Sequence, residues 1–554
     1  MFNHFLDGQQ NNRRDLIDKC SITYLGESFP LALVLEDLQD GGKTKLHHAG
    51  PPLGQALTPL EKRDENGHPA HLLPEDMNCL HNKHALEYPA ATLYEDLMTT
   101  FVDVVFPMYP IVSRDEFIEQ YKSRQVPWIL LQSACFAAAT HCPITVLNRA
   151  GFTGRRQARF LFYRKAKALF DTGYESNKIV ILQSIMLLSM WGGSPNNYWN
   201  FYSWISTAVT IAESIGMHRS IAGASMESKD RSLLKRIWWV LVVRDAFCSS
   251  LVGRPLRINM DQGNAEMLTL DDFEQDVRSL EMAQHHLAYT FAHYQIQASR
   301  LSLILHQIVM TRFIPGPKKF TTAYLQESLE CWRKEVPPEI DWSRDPMGNN
   351  LMASCLSVLF DHHLILANLG CSPSQTMTGF ASNHGFDQHS DMAAQRISTI
   401  GSAIVVKSRA LHVPHETFQG IFLAGVVSYT QMRSGNATLA QLGYSNLNNA
   451  KMVLHNVLEA WDPVPWITTL FERLSANLQK KQATLGDAAM GQAQGFYPSD
   501  QGDLNDLFTL QDAEDGICSP WQANPMLNAL FDFSEDFAGF DLQGDALPGG
   551  NFGA

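Results

Sequence analysis

The chain has 554 residues, 45% of them hydrophobic, enough to bury a large core and to hold roughly two to four domains of ordinary size. Its net charge of −14 sits almost wholly at one end: twelve Asp and Glu follow Lys481 with no Lys or Arg among them, which leaves −2 for everything before. A body so close to neutral excludes the strongly basic surface of a nucleic-acid-binding domain. No run of about eighteen apolar residues occurs and the first residues lack the apolar segment of a signal peptide, so a non-membrane protein that stays inside the cell is expected. Nine scattered cysteines suit reduced thiols.

Residues 1–90 mix Gly, Pro, His and charge with only short apolar runs, and read as an irregular linker. Gly42-Lys43-Thr44 fails as a phosphate-binding loop, because Asp37 stands where that loop needs a glycine. His68, His71, Cys79, His81 and His84 are ligand types for zinc, but their spacing matches no standard site, so no metal or other cofactor is expected.

From Leu93 onward apolar residues recur at helical spacing nearly everywhere. A helix over 93–106 ends at Pro107, and Ser113-Arg-Asp-Glu116 has the form of a capping box for the next. The helix over 128–142 carries Cys135 and Cys142 as core residues. Along 154–170 run Arg155, Arg156, Arg159, Arg164, Lys165 and Lys167, read as a solvated basic face in preference to a DNA-reading or nuclear-import surface. Helices over 176–191 and 197–215 follow, the second stopped by Gly216; its Tyr198, Trp199, Phe201, Tyr202 and Trp204 suit either core or a ligand pocket.

The next helix organises the chain. Leu234, Ile237, Trp238, Leu241, Val242, Asp245, Ser249 and Val252 share one face, so a carboxylate and a hydroxyl lie on an apolar stripe, and Gly253 and Pro255 stop the helix. A buried carboxylate needs a partner, and Arg254 is the nearest candidate. Later helices are predicted over 285–310, 322–335, 350–369, 392–411, 417–432, 447–460 and 464–478, with an exposed loop over 370–390.

The pattern Trp238-Trp239-x-Leu241-x3-Asp245-x3-Ser249-x3-Gly253-Arg254-Pro255-x2-Ile258 resembles the central signature of the fungal transcription factor domain, the middle region of fungal zinc binuclear cluster regulators. Phe106-Pro-Met-Tyr-Pro-Ile-Val-Ser-Arg-Asp-Glu-Phe117 is similar to that domain's opening, and residues 22–33 resemble the linker of the cutinase and farnesyl-regulator branch. The resemblance implies an all-α regulatory protein of the nucleus, acting as a homo- or heterodimer with another transcription factor. The six-cysteine zinc module of that family does not occur in this sequence, so DNA contact is expected only through a partner or a missing N-terminal module. No G-x-S-x-G, H-E-x-x-H or G-x-G-x-x-G pattern supports an enzyme.

The tail from 482 alternates acids with Leu504, Leu507, Phe508, Trp521, Leu527, Leu530, Phe531, Phe533, Phe537 and Phe540. Mutual repulsion of the acids keeps such apolar groups solvated, which is the makeup of an activation segment that contacts the transcription machinery. The expected division is linker 1–90, helical regulatory domain 91–370, loop 371–391, a second helical part 392–481 and the activation tail 482–554. The expected function is control of a metabolic or secondary-metabolite gene set. Two alternatives stay open, a non-DNA-binding cofactor that titrates a zinc cluster factor and a sensor of a small-molecule effector.

Overall fold

The computed structural model describes residues 21–23, 47–49, 64, 67–193, 198–221, 226–314, 318–345, 348–369 and 386–493, with side chains described between 64 and 478. It divides into two units, Met1–Ser475 and Ala476–Ala554. Among its described residues the first unit is all-α apart from one short strand pair, in which Ser21–Thr23 pairs antiparallel with His47–Ala49 and Ile22 faces His48.

Helix α1, Pro74–Asn82, lies in the stretch expected to be irregular. Proline presets the first turn, Asp76 accepts a hydrogen bond from the Leu73 N–H, and Leu80 is fully buried. Helix α2, Ala91–Thr100, does not stop at Pro107. It widens into a π-helical segment, Phe101–Val105, and makes one last turn, Phe106–Met108. A proline removes a backbone donor and crowds the carbonyl four residues back, and the wider turn absorbs both effects.

The capping box at the start of α3, Arg114–Lys122, does not form. Ser113 makes no side-chain cap bond, and Glu116 turns instead to Lys229, 3.2 Å away. Helix α4, Trp128–His141, buries every side chain from Ile129 to His141. Against it pack α6, Arg155–Asp171, which follows the short α5, Ile144–Arg149, and α7, Lys178–Leu188.

Asn200 caps α8, Phe201–Ile215, through bonds from the Tyr202 and Ser203 N–H groups, and Gly216 ends it at φ 86°. Helix α9, Ser228–Val252, packs between α8 and α11, Met282–Arg312, with the short α10, Glu274–Arg278, before the latter. Then come α12, Thr322–Lys334, and α13, Leu351–Asn368. Helix α13 is long and apolar enough to cross a membrane, yet it buries Asp361, His362 and His363 inside the unit as a core helix does.

Helices α14, Gln388–Val406, α15, His415–Met432, and α16, Ala437–His455, stack in succession on α13. At the α15–α16 crossing a Cβ on Gly443 would lie 2.6 Å from the Ser428 carbonyl oxygen, so only glycine permits that approach. The last described helix, α17, is Val464–Ala493.

Candidate functional site

Asp245 sits on the last turns of α9 and is fully buried. Its carboxylate accepts from the Arg257 N–H at 3.1 and 3.0 Å, from the Ile258 N–H at 2.9 Å and from the Ser249 hydroxyl at 3.3 Å. The expected partner, Arg254, plays no part in holding it. Backbone donors of the returning chain take that role, and they are within reach because Gly253, at φ 61°, reverses the chain directly beyond the helix. Burial pushes the Asp245 carboxyl up to about 6, against the lowering effect of those N–H donors.

The turn outside this lock is exposed. The guanidiniums of Arg254 and Arg257 lie 5.0 and 4.5 Å from the centroid of the Tyr202 ring, whose hydroxyl donates to the Pro255 carbonyl at 2.8 Å. Among the other signature residues, Trp239 donates through Nε1 to the Glu266 carbonyl at 2.7 Å, whereas Trp238, equally buried, has no Nε1 acceptor among the described residues.

Two further buried polar groupings were not anticipated. Arg244 donates to Glu416 at 2.7 Å and to the Ser189 carbonyl at 3.0 Å; the Tyr109 hydroxyl donates to Glu416 at 3.1 Å and accepts from the His415 N–H. Burial opposes the Arg244 charge, but the Glu416 carboxylate, with smaller contributions from Cys248 and Tyr109, outweighs it and holds the guanidinium ionised. The second grouping is centred on Arg159, which is fully buried. It donates to Asp462 at 2.5 Å, to the Glu459 carbonyl at 2.8 Å, to Thr140 at 3.0 Å and to the Met190 carbonyl at 3.0 Å. Arg155 donates to the carbonyls of Ala139, Thr140 and Cys142.

These contacts correct the reading of 154–170 as a solvated basic face, because Arg155, Arg159 and Lys165 are all buried. Only Arg156 and Arg164 are fully at the surface. The aromatic cluster packs ring on ring: Trp204 is buried, its Nε1 donates to Tyr163 at 3.3 Å, and Trp199 lies 4.4 Å from it. No group of His, Cys, Asp and Glu that could hold a metal ion occurs among the described residues; His68 instead bonds Tyr174 at 2.9 Å. Leu527, Leu530, Phe531, Phe533 and Phe537 lie outside the described residues.

The signature residues Asp245, Ser249, Gly253 and Pro255 thus shape one turn at the end of α9. Residues 98–357 match the fungal specific transcription factor domain. The chain carries that domain. It begins in α2 and ends in α13, so it contains the Asp245 turn, Arg159 and Arg244, while their partners Asp462 and Glu416 lie beyond its end.

Similarity extends past the domain. Cutinase transcription factor 1 alpha of Fusarium vanettenii is 25% identical over 475 residues, 84% of this chain and 51% of that protein. Cutinase transcription factor 1 beta of the same organism is 31% identical over 234 residues, 40% of this chain and 26% of its own. The acetamidase regulatory protein of Aspergillus fumigatus is 26% identical over 407 residues, 72% of this chain and 50% of its own. The chain thus spans about half, or less, of the length of these relatives. No solved structure matches.

Proposed function

We propose that the chain is a nuclear regulator of transcription that controls a metabolic or secondary-metabolite gene set. The observation that carries this reading is the fungal specific transcription factor domain at 98–357, set within a similarity of 475 residues to a cutinase transcription factor. Other relatives are named as an acetamidase regulatory protein and a fusaric acid cluster transcription factor, which supports metabolic gene control as the class of target.

The helical unit holds partners, and the acidic-aromatic tail contacts the transcription machinery. DNA is reached through a dimer partner or a zinc module outside these 554 residues. Specific recognition needs an element in a groove and a set of phosphate contacts, and a near-neutral body ahead of a tail of twelve acids supplies neither.

A reporter assay tests the reading. The full chain fused to a foreign DNA-binding domain activates a reporter, and changing Leu527, Leu530 and Phe531 to Ala removes most of that output. A fusion that reaches the nucleus at normal abundance and leaves the reporter silent overturns the activator reading.

A further inference from the structure

Most buried arginines of this unit are consumed internally, as Arg159 and Arg244 show. Arg254 and Arg257 are the opposite case. Both are exposed, both guanidiniums rest on the Tyr202 ring, and neither makes a salt bridge or a guanidinium hydrogen bond among the described residues, although the Arg257 charge acts at longer range on buried Asp245. Each fork offers five N–H donors in a plane, the arrangement that receives an oxyanion in bidentate fashion.

The turn that presents them is fixed from beneath. Asp245 holds the Arg257 and Ile258 N–H groups, the Arg254 N–H donates to the Ser249 carbonyl at 3.0 Å, and the Tyr202 hydroxyl holds Pro255. It is also open from above, since a Cβ on Gly253 would meet nothing within 4 Å. The ordering cost of two long side chains is therefore largely met before any ligand arrives.

We propose that Arg254, Arg257 and Tyr202 form a docking site for an acidic polypeptide segment, whose Asp or Glu carboxylates enter the two guanidinium forks. Charge complementarity selects the anion, and the surroundings select the polymer. Nucleic acid needs a track of cations to neutralise successive phosphates. Here the next charged residue along the chain, Asp261, is an acid already paired with Lys319 at 3.1 Å, so the two arginines are not continued by further cations along this turn. Isolated carboxylates along a peptide fit such a pair. The site is a property of the helical unit and does not depend on the transcriptional reading.

The test is fluorescence anisotropy on the full chain, with a labelled peptide of residues 526–541, which carries four carboxylates, as the probe. It is repeated in a chain with Asp532, Glu535, Asp536 and Asp541 changed to Asn or Gln, which removes self-competition. Saturable binding is expected, weakened about tenfold or more by Arg254→Ala with Arg257→Ala. The paired change Arg254→Lys with Arg257→Lys keeps the charge but not the forks and restores only part of the affinity. Circular dichroism of both variants should match the unmodified chain, because both side chains are exposed. Binding unchanged in the double alanine variant, or absent up to about 1 mM peptide in the chain with the four acids neutralised, overturns the proposal. So does a phosphoserine peptide or duplex DNA that binds through the same arginines tenfold more tightly.

Discussion

Asp245 and Glu416 are both buried carboxylates in one helical unit, and they are held in opposite ways. Asp245 is held by N–H groups twelve and thirteen residues along its own chain, so its bonds shape a local turn. Glu416 is held by a guanidinium 172 residues away and a hydroxyl 307 residues away, and Asp462 by an arginine 303 residues away, so their bonds join distant segments. Burial leaves the Asp245 carboxyl raised to about 6 despite its N–H and hydroxyl donors and the more distant Arg257 charge, whereas a guanidinium stands in direct contact with Glu416. A buried acid paired with its own backbone sets a shape, and one paired with a remote base sets which segments belong together.

The largest effect should come from breaking a remote pair. Asp462→Ala strands Arg159 at zero exposure and should destabilise the fold by about 4 kcal/mol, read from urea unfolding. A cost under about 1 kcal/mol, the range of surface pairs, would show that water reaches the site.

Acid should separate the two regions next. Burial lowers His141, which lies beside the Arg159 grouping, to about 4, so it adds stability that is fully present above pH 6.5 and is lost as pH falls through 4. That loss is roughly 3 kcal/mol for this residue. Asp245 runs the other way: its raised folded value gives a contribution that is present below about pH 3.8 and is lost as pH rises through 6. Unfolding midpoints between pH 7 and 4 should therefore fall less steeply in His141→Gln, and more steeply in Asp245→Asn, than in the unmodified chain.

Asp245→Ala should cost less than the remote break, about 2 kcal/mol, because it leaves neutral N–H groups unpaired and not a charge. A loss equal to that of Asp462→Ala would mean the turn is as essential to the fold as the remote pair. The smallest change is expected at Glu116. Its pair with Lys229 is half-exposed and its capping bond is unmade, so Glu116→Ala should stay within about 0.5 kcal/mol.

The sequence made the helices and the end of α9 legible, because periodicity and a glycine-proline stop are local signals. It placed Asp245 on a buried stripe but could not say what holds it, since backbone donors leave no letter to read. Arg155 and Arg159 share a helical face with Ala158, Phe162, Ala166 and Leu169, all buried. The spacing rule that singled out Asp245 applies to them equally, and their basic neighbours on α6 obscured it. Nothing in the sequence pairs them with α17's approach at Asp462, because that pairing exists only after the chain has folded. The failed capping box at Ser113 has a similar cause: a tertiary ion pair outcompeted a local bond.

The remote pairs also bear on how such regulators can exchange parts. A crossover between two related genes just after position 357 would join one parent's Arg159 and Arg244 to the other parent's helices around Glu416 and Asp462. The hybrid would inherit buried cations from one lineage and must find their counter-charges in the other. Recombination is therefore expected to spare hybrids that carry residues 98–475 as one inherited block, and chimaeras built in the laboratory should be cut outside it.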